Sequence, residues 1–321
     1  LLSFLSLSAQ DSLTILFAGD AMMHQKQLDN TRRGDFFDLG SYFANIEREV
    51  KAVDIAVVNF EVPLGGEPYS GYPVFSAPED FALALQKAGF DFFLLANNHC
   101  LDRRTRGFVR TIQALDSLDC DHRHRTYPML LRKKDFRIIM LNYTYGTNGL
   151  KVDIPRIVNY IDKEIMKGDI AEAKLFNPDF IIANMHWGLE YERIPSREQR
   201  ELADWLLRQG VDLVIGSHPH VVQPMELRRG KEGVTDRLVV YSLGNFISNM
   251  SREHTDGGVM VKVVLGRKGL RRYIISAQYS LIYSSRYKNE QGKEDIRVVP
   301  AASWSGKNQN SSFSVDSALI K

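Results

Sequence analysis

The sequence predicts an α/β fold: a mainly parallel sheet with helices packed on its faces. Short, continuous apolar runs recur along the 321 residues. Amphipathic helical patterns lie between several of them. A third observation, the residues that directly follow each run, points to where the chemistry lies.

The runs are Leu13–Ala18, Asp54–Asn59, Asp91–Ala96, Phe136–Asn142, Asp179–Asn184, Val211–Ile215 and Leu238–Leu243. They are continuous rather than alternating, as strands buried on both faces are. Between them, Glu79–Ala88 places Phe81, Ala84, Leu85 and Ala88 on one helical face. Thr105–Leu118 does the same with Phe108, Ile112 and Leu115. Arg197–Gln209 opens on Ser196 with Gln199 three residues on, a capping-box pattern, and Gly210 ends it. Further on, Gly258–Leu265 and Arg272–Tyr283 read as successive strands without helices, antiparallel and packed on the same domain. The domain is expected over residues 11–300. Gly146–Ile154 reads as a mobile loop, and the tail 301–321, with the Ser- and Asn-rich Ser303–Ser317, as irregular.

Composition excludes several classes. Apolar residues make up 44% and charged residues 25%, as in ordinary globular proteins. The net charge is +2, and the locally basic stretch Arg123–Arg137 is broken by Tyr127, Pro128, Met129, Leu130 and Leu131. No nucleic-acid partner is expected. No run approaches the roughly 18 apolar residues of a membrane span. Leu1–Gln10 reads LLSFLSLSAQ, like the end of a signal-peptide apolar region. A frayed extension is the bland alternative. On the first reading the protein is exported, to the periplasm or cell surface. Cys100 and Cys120 flank a helical pattern spanning on the order of 20 Å, whereas a bridge needs Cα atoms within about 7 Å. Two free thiols are expected.

In an open α/β sheet, ligands bind beyond the carboxyl ends of the strands. After the runs come Gly19-Asp20 with His24, Asn59-Phe60-Glu61, Asn97-Asn98-His99, His186-Trp187-Gly188, Gly216-Ser217-His218-Pro219-His220 and Gly244-Asn245-Phe246. Five of the eight histidines fall at these ends. One histidine after a strand is ordinarily a hydrogen-bonded structural residue, so the weight lies in the combination. Imidazole, carboxylate and amide oxygen together suit a divalent transition metal. Asp20, Glu61, Asn98, His186, His218 and His220 are expected in one crevice, with the ligand atoms of one metal within about 5 Å of each other. Asn59, Glu190, Tyr191 and Asn245 are read as substrate contacts. A solvated loop is an equal reading for Glu190 and Tyr191.

These segments resemble the bacterial capsule-synthesis protein CapA family, which includes a subunit of poly-γ-glutamate synthesis. The likeness runs from Gly19 to Phe246. Its most specific parts are Gly216-Ser217-His218-Pro219-His220-Val221-Val222-Gln223-Pro224 and Tyr241-Ser242-Leu243-Gly244-Asn245-Phe246. The family is similar to calcineurin-like metallophosphoesterases. That implies a four-layer α/β/β/α sandwich with mixed, largely parallel sheets and two divalent ions, Mn, Zn or Fe. It implies that Asp20, His24 and His220 bind the first metal, that Asn98, His186 and His218 bind the second, and that Glu61 bridges. It implies that His99 protonates the leaving group. The sequence departs from the superfamily in spacing Asp20 and His24 by three residues, in Glu rather than Asp at position 61, and in lacking a glycine-rich stretch at Cys120–Tyr127.

Three functions remain open on these residues. One is a metal-dependent phosphoester hydrolase. Another is a non-catalytic subunit that binds an anionic polymer or other capsule-synthesis membrane subunits. The third is a metal-dependent hydrolase of γ-glutamyl amides. An intact ligand set with His99 favours catalysis, since a scaffold needs neither.

Overall fold

A computed structural model of the chain describes residues 11–118, 121–123, 128–152, 158–229, 236–269, 271–289 and 292–301; of 121–123 it describes the backbone alone. Leu1–Gln10, Cys120, the end of the Gly146–Ile154 loop and Ser303–Ser317 lie outside these residues. Cys100 is free and buried. No described helix is long and apolar enough to cross a membrane.

The apolar runs form strands, divided between two sheets. The first sheet has eight strands, and Asp11–Ala21 lies at its centre. On one side Asp11–Ala21 pairs in parallel with Ile55–Phe60, which continues to Phe92–Leu94 and Asp121–Arg123. On the other it meets Gly257–Lys268 antiparallel, then Arg271–Lys288 and Glu294–Pro300. The short strand Asn245–Ile247 pairs with its carboxyl end. The second sheet runs Met225–Arg228, Arg237–Val240, Leu213–Ser217, Phe180–His186, Phe136–Thr144, Met129–Lys133, parallel except at its two edges.

Three apolar layers hold these sheets together. Between them, Leu13, Ile15 and Phe17 of the first sheet face Ile138, Met140 and Ile182 of the second. The alternate residues Leu16 and Ala18 point outward, onto Phe81 and Leu85 of the helix Glu79–Ala88 and onto Phe108 and Leu115 of Arg104–Ser117. On the far side, Ile139, Ile181 and Val214 pack on Met166 and Ile170 of the helix Lys163–Leu175 and on Ala203 and Leu206 of Arg197–Gln209. The result is an α/β/β/α sandwich with mixed, largely parallel sheets. The antiparallel C-terminal strands extend the first sheet, as the sequence predicts. The two sheets are those the family resemblance implied; the rhythm of runs alone suggested one, because every run is apolar on both faces and the pattern does not say which face meets which neighbour.

The helix ends follow local chemistry. Ser196 accepts the Gln199 backbone N–H at 3.2 Å, and the Gln199 side chain accepts the Ser196 N–H at 2.9 Å. Gly89 and Gly210 end their helices at φ 110° and 100°, where a side chain would be strained. At Gly19 the constraint is a close approach: a Cβ there would sit 1.9 Å from the Gly244 carbonyl oxygen. That contact lets the Asp20 N–H donate to Gly244 at 3.0 Å and sets Asp20 opposite Asn245 in the ladder.

Candidate metal centre

The carboxyl ends of the parallel strands from both sheets meet at one place. Asp20, Glu61 and Asn98 arrive from the first sheet, and His186, His218 and His220 from the second. Glu61, His186 and His218 offer ligand atoms within 4.8 Å of one another; so do Asp20, Glu61 and His220, and so do Glu190, His218 and His220. Glu61, His218 and His220 thus each belong to two sets, and Glu61 is the carboxylate placed to be shared. Asn98 joins through its Oδ1, 2.9 Å from His186 Nε2. Six of the seven expected ligands converge. His24 belongs to none of these sets: its ring stands edge-on to Phe75 at 5.3 Å. Glu190, read from the sequence as a substrate contact, is exposed and close enough to His218 and His220 to serve as a ligand.

The electrostatics call for a cation. Asp20 and Glu61 are closed to solvent, and their ion-pair partners among the described residues are histidines alone. Buried carboxylates without compensating charge are strongly disfavoured. Burial, then the neighbouring Asp20, Glu190 and Asp102 carboxylates, push the Glu61 carboxyl well above its usual range. Burial and the neighbouring imidazoles hold His186 well below the ordinary histidine value, and take His218 down to about 3 and His24 to about 4. Burial opposes the charged form of His220 too, but its contact with Asp20 raises it overall. Neutral imidazole is the form that ligates metal. Glu61 Oε1 and His218 Nδ1 are buried atoms with no hydrogen-bond partner among the described residues. Lone pairs left open at the meeting point of carboxylates and imidazoles fit a divalent cation.

The surrounding residues hold this set in place. Asn59 donates to Asp20 Oδ1 at 2.7 Å and to Glu61 Oε2 at 3.3 Å. Asn245 Oδ1 lies 3.0 Å from His220 Nδ1, while its amide donates to the Thr255 carbonyl at 2.8 Å. Both asparagines are buried under the ligands, which makes them positioning residues. His218 and His220 adopt φ 95° and 59°, and Tyr191 φ 70°. Such conformations cost about 1–3 kcal/mol each and cluster at functional sites.

His99 stands beside this set. Its Nδ1 is 2.8 Å from Asp102 Oδ2, an oxygen that also accepts the Phe75 N–H at 2.8 Å. Tyr145 is a residue that strand-end reasoning missed. Its ring centre lies 4.5 Å from that of His218, and burial first, then Glu190 and Glu61, push its hydroxyl up to about 12. Asn148, also missed, accepts from the Asn98 amide at 3.3 Å. The signal was present: both follow the strand Phe136–Thr144, which runs two residues past its expected end. At the rim, the Arg252 guanidinium sits 4.0 Å from the centre of the Tyr191 ring.

Residues 14–250 match the family model described as bacterial capsule synthesis protein PGA_cap. The capsule biosynthesis protein CapA of Bacillus anthracis is 28% identical, over 81% of this chain and 65% of that protein. The PGA biosynthesis protein CapA of Bacillus subtilis is 26% identical, over 84% of this chain and 72% of that one. The chain thus spans about two thirds of the length of these relatives. Among solved structures, the calcineurin-like phosphoesterase YfkN from Bacillus subtilis is similar at 16% identity and TM-score 0.47, covering 85% of this chain and 91% of that one.

Proposed function

The chain belongs to the bacterial capsule synthesis protein family, and from that premise we propose that it is an extracytoplasmic hydrolase of capsule or poly-γ-glutamate synthesis, cleaving a phosphoester at a centre of two divalent cations. One observation carries the reading: two buried carboxylates and three imidazoles converge, with Glu61 common to two ligand sets and open lone pairs on Glu61 and His218. The apolar start of the chain, ending in small residues, supports export.

Asp20, Glu61, Asn98, His186, His218 and His220 would hold the cations, with Glu190 at the open side. Bound there, the cations would supply positive charge for phosphoryl oxygens and acidity for a water nucleophile. The protein's own residues supply the rest. Asn59 keeps the two carboxylates at fixed separation, and Asn245 fixes the His220 ring. The Asp102 carboxylate can only accept, so His99 keeps a proton on Nδ1. In the imidazolium form that this carboxylate favours, Nε2 carries the second proton, the one His99 would give to a departing oxygen as it returns to neutral imidazole. The Tyr145 ring covers His218 and limits water there. Arg252, over Tyr191, places a positive charge where an anionic substrate enters.

The test is elemental analysis of the purified protein, followed by a generic phosphodiester assay with added Mn²⁺. Metal with turnover supports the reading. Metal without turnover of any phosphoester moves the function to a non-catalytic, polymer-binding subunit. Cleavage of γ-glutamyl bonds instead would keep the centre and change the substrate class.

A further inference from the structure

Two hairpin tips meet at the pole of the sandwich opposite the metal centre. One joins Met129–Lys133 to Phe136–Thr144 in the second sheet, and the other joins Gly257–Lys268 to Arg271–Lys288 in the first. They are tied together by Arg267, whose Nη1 donates to the Asp135 carbonyl at 3.0 Å and whose guanidinium lies 5.1 Å from the Phe136 ring centre. Arg267 pairs in the ladder with Asp11, at the start of the strand that carries Asp20 near its end. At about 3.3 Å per strand residue, the tips lie roughly 30 Å from Asp20.

Between the tips is an open recess of about 530 Å³, lined by Arg132, Lys133, Lys134, Arg137 and Arg267 with one acid, Asp135, among the lining residues; Asp11 and Asp179 pair with Arg267 from beyond the lining. The sheet register makes this arrangement costly. Arg132 stands directly opposite Arg137, Arg267 opposite Arg272, and Lys268 opposite Arg271. Like charges directly opposite one another destabilise a sheet. Neighbouring acids offset part of this: Lys134 pairs with Asp54 at 2.6 Å, Arg267 with Asp11 at 3.2 Å, and Arg272 reaches Asp179 at 3.9 Å. Arg132, Lys133 and Arg137 have no ion pair among the described residues. Cations gathered in a recess against the preference of the fold are accounted for by an anion from outside.

We propose that this pole is a second binding site, which takes a linear polyanion and reads its repeated carboxylates. Arginine predominates, and its planar fork matches a carboxylate with two parallel hydrogen bonds. The choice of carboxylate over phosphate rests on the capsule-polymer reading; the demand for an anion does not. A recess with no exposed large apolar side chain among its lining residues suits a chain rather than a bilayer, whose peripheral binders bury apolar side chains.

The test is fluorescence anisotropy with a labelled poly-γ-glutamate oligomer at low salt, on metal-loaded and metal-stripped protein alike. Wild type binds in both states and releases the oligomer as salt rises. Arg132→Gln with Arg137→Gln weakens binding by about tenfold or more, with metal content unchanged and the thermal midpoint unchanged or higher. Lys167→Gln with Arg208→Gln, the same charge change at exposed positions elsewhere, leaves binding intact. If the arginine double variant fails to fold, Lys133→Gln at the exposed tip gives the same reading with a smaller loss. Equal losses in both double variants, no binding by wild type, or tighter binding of anionic vesicles than of soluble polymer would each overturn the proposal. Polyphosphate outcompeting the oligomer at matched charge overturns the carboxylate assignment. Because the readout is binding without metal, none of these outcomes depends on hydrolysis.

Discussion

His99 and Asp102 meet Nδ1 to Oδ2 at 2.8 Å, and both side chains are almost closed to solvent. A carboxylate oxygen at that distance holds the ring in one tautomer. Loss of a positioned acid costs about 10²–10⁴-fold in rate. His99→Ala is therefore expected to keep its metal and lose most turnover on a substrate with a poor leaving group. Asp102→Asn is expected to follow it in the same direction. Both should lose less on an activated aryl ester, which needs little help from a proton donor. Equal losses on the two substrates would argue against His99 as the acid.

The convergence of imidazoles makes metal content a direct readout. Wild type loaded with Mn²⁺ or Zn²⁺ should retain at least one ion, and His218→Ala with His220→Ala should retain none. The central claim fails if elemental analysis finds the same negligible metal in both.

A cation that neutralises Asp20 and Glu61 binds the folded state and not the unfolded one. At a hundredfold excess over its dissociation constant this adds about 2.7 kcal/mol, or a thermal midpoint about 4 °C higher for a chain of 321 residues. Calorimetry with and without Mn²⁺ should show the shift in wild type and none in the double histidine variant.

Gly19→Ala tests the packing beneath the ligands. The new Cβ would meet the Gly244 carbonyl oxygen at 1.9 Å, and backbone cannot yield as a flexible side chain does. The expected loss is about 1–3 kcal/mol or more, measured by denaturant unfolding. Wild-type stability in this variant would mean that the two strands part easily.

Asp212 gives a pH-dependent prediction. Burial pushes its carboxyl up to about 6, against the lowering effect of the Ile181 N–H and of Arg237. A folded value above the unfolded one means that the folded state binds more protons between about pH 4 and pH 6. The contribution of Asp212 is thus most favourable below about pH 4 and is lost as pH rises through 6. The stability of wild type relative to Asp212→Asn should fall by about 2–3 kcal/mol across that window. A flat difference would show that the buried group titrates normally.

The strand ends were legible because polar residues after apolar runs have no place in a core, and His218-Pro219-His220 could not be buried idly. The caps at Ser196, Gly89 and Gly210 were legible because each obeys local backbone rules. The division into two sheets came from the family resemblance and not from the runs themselves, since Leu13, Ile15 and Phe17 differ in no visible way from Leu16 and Ala18. The helix Lys163–Leu175 escaped because Asp169, buried and accepting the Tyr143 hydroxyl at 2.8 Å, interrupts its apolar face. The supporting places of Asn59 and Asn245 follow from tertiary hydrogen bonds, which no spacing along the chain encodes. Whether the ring of His24 turns toward the carboxylates or toward Phe75 is likewise decided by packing.

The ligands come from two sheets, and this has a consequence in time. Asn98 and His186 are separated by 88 residues, and Asp20 and His218 by 198. Each of the three ligand sets includes His218 or His220, so a cation held by any of them would wait until the strand ending at Ser217 and the two histidines beyond it have been made and docked. On the proposed function, ion capture would therefore be among the last events in the maturation of this protein. Affinity alone does not select the ion, because imidazole and carboxylate ligands accept several. The supply of ions in the compartment where the two sheets finally close would then decide which one the proposed centre takes.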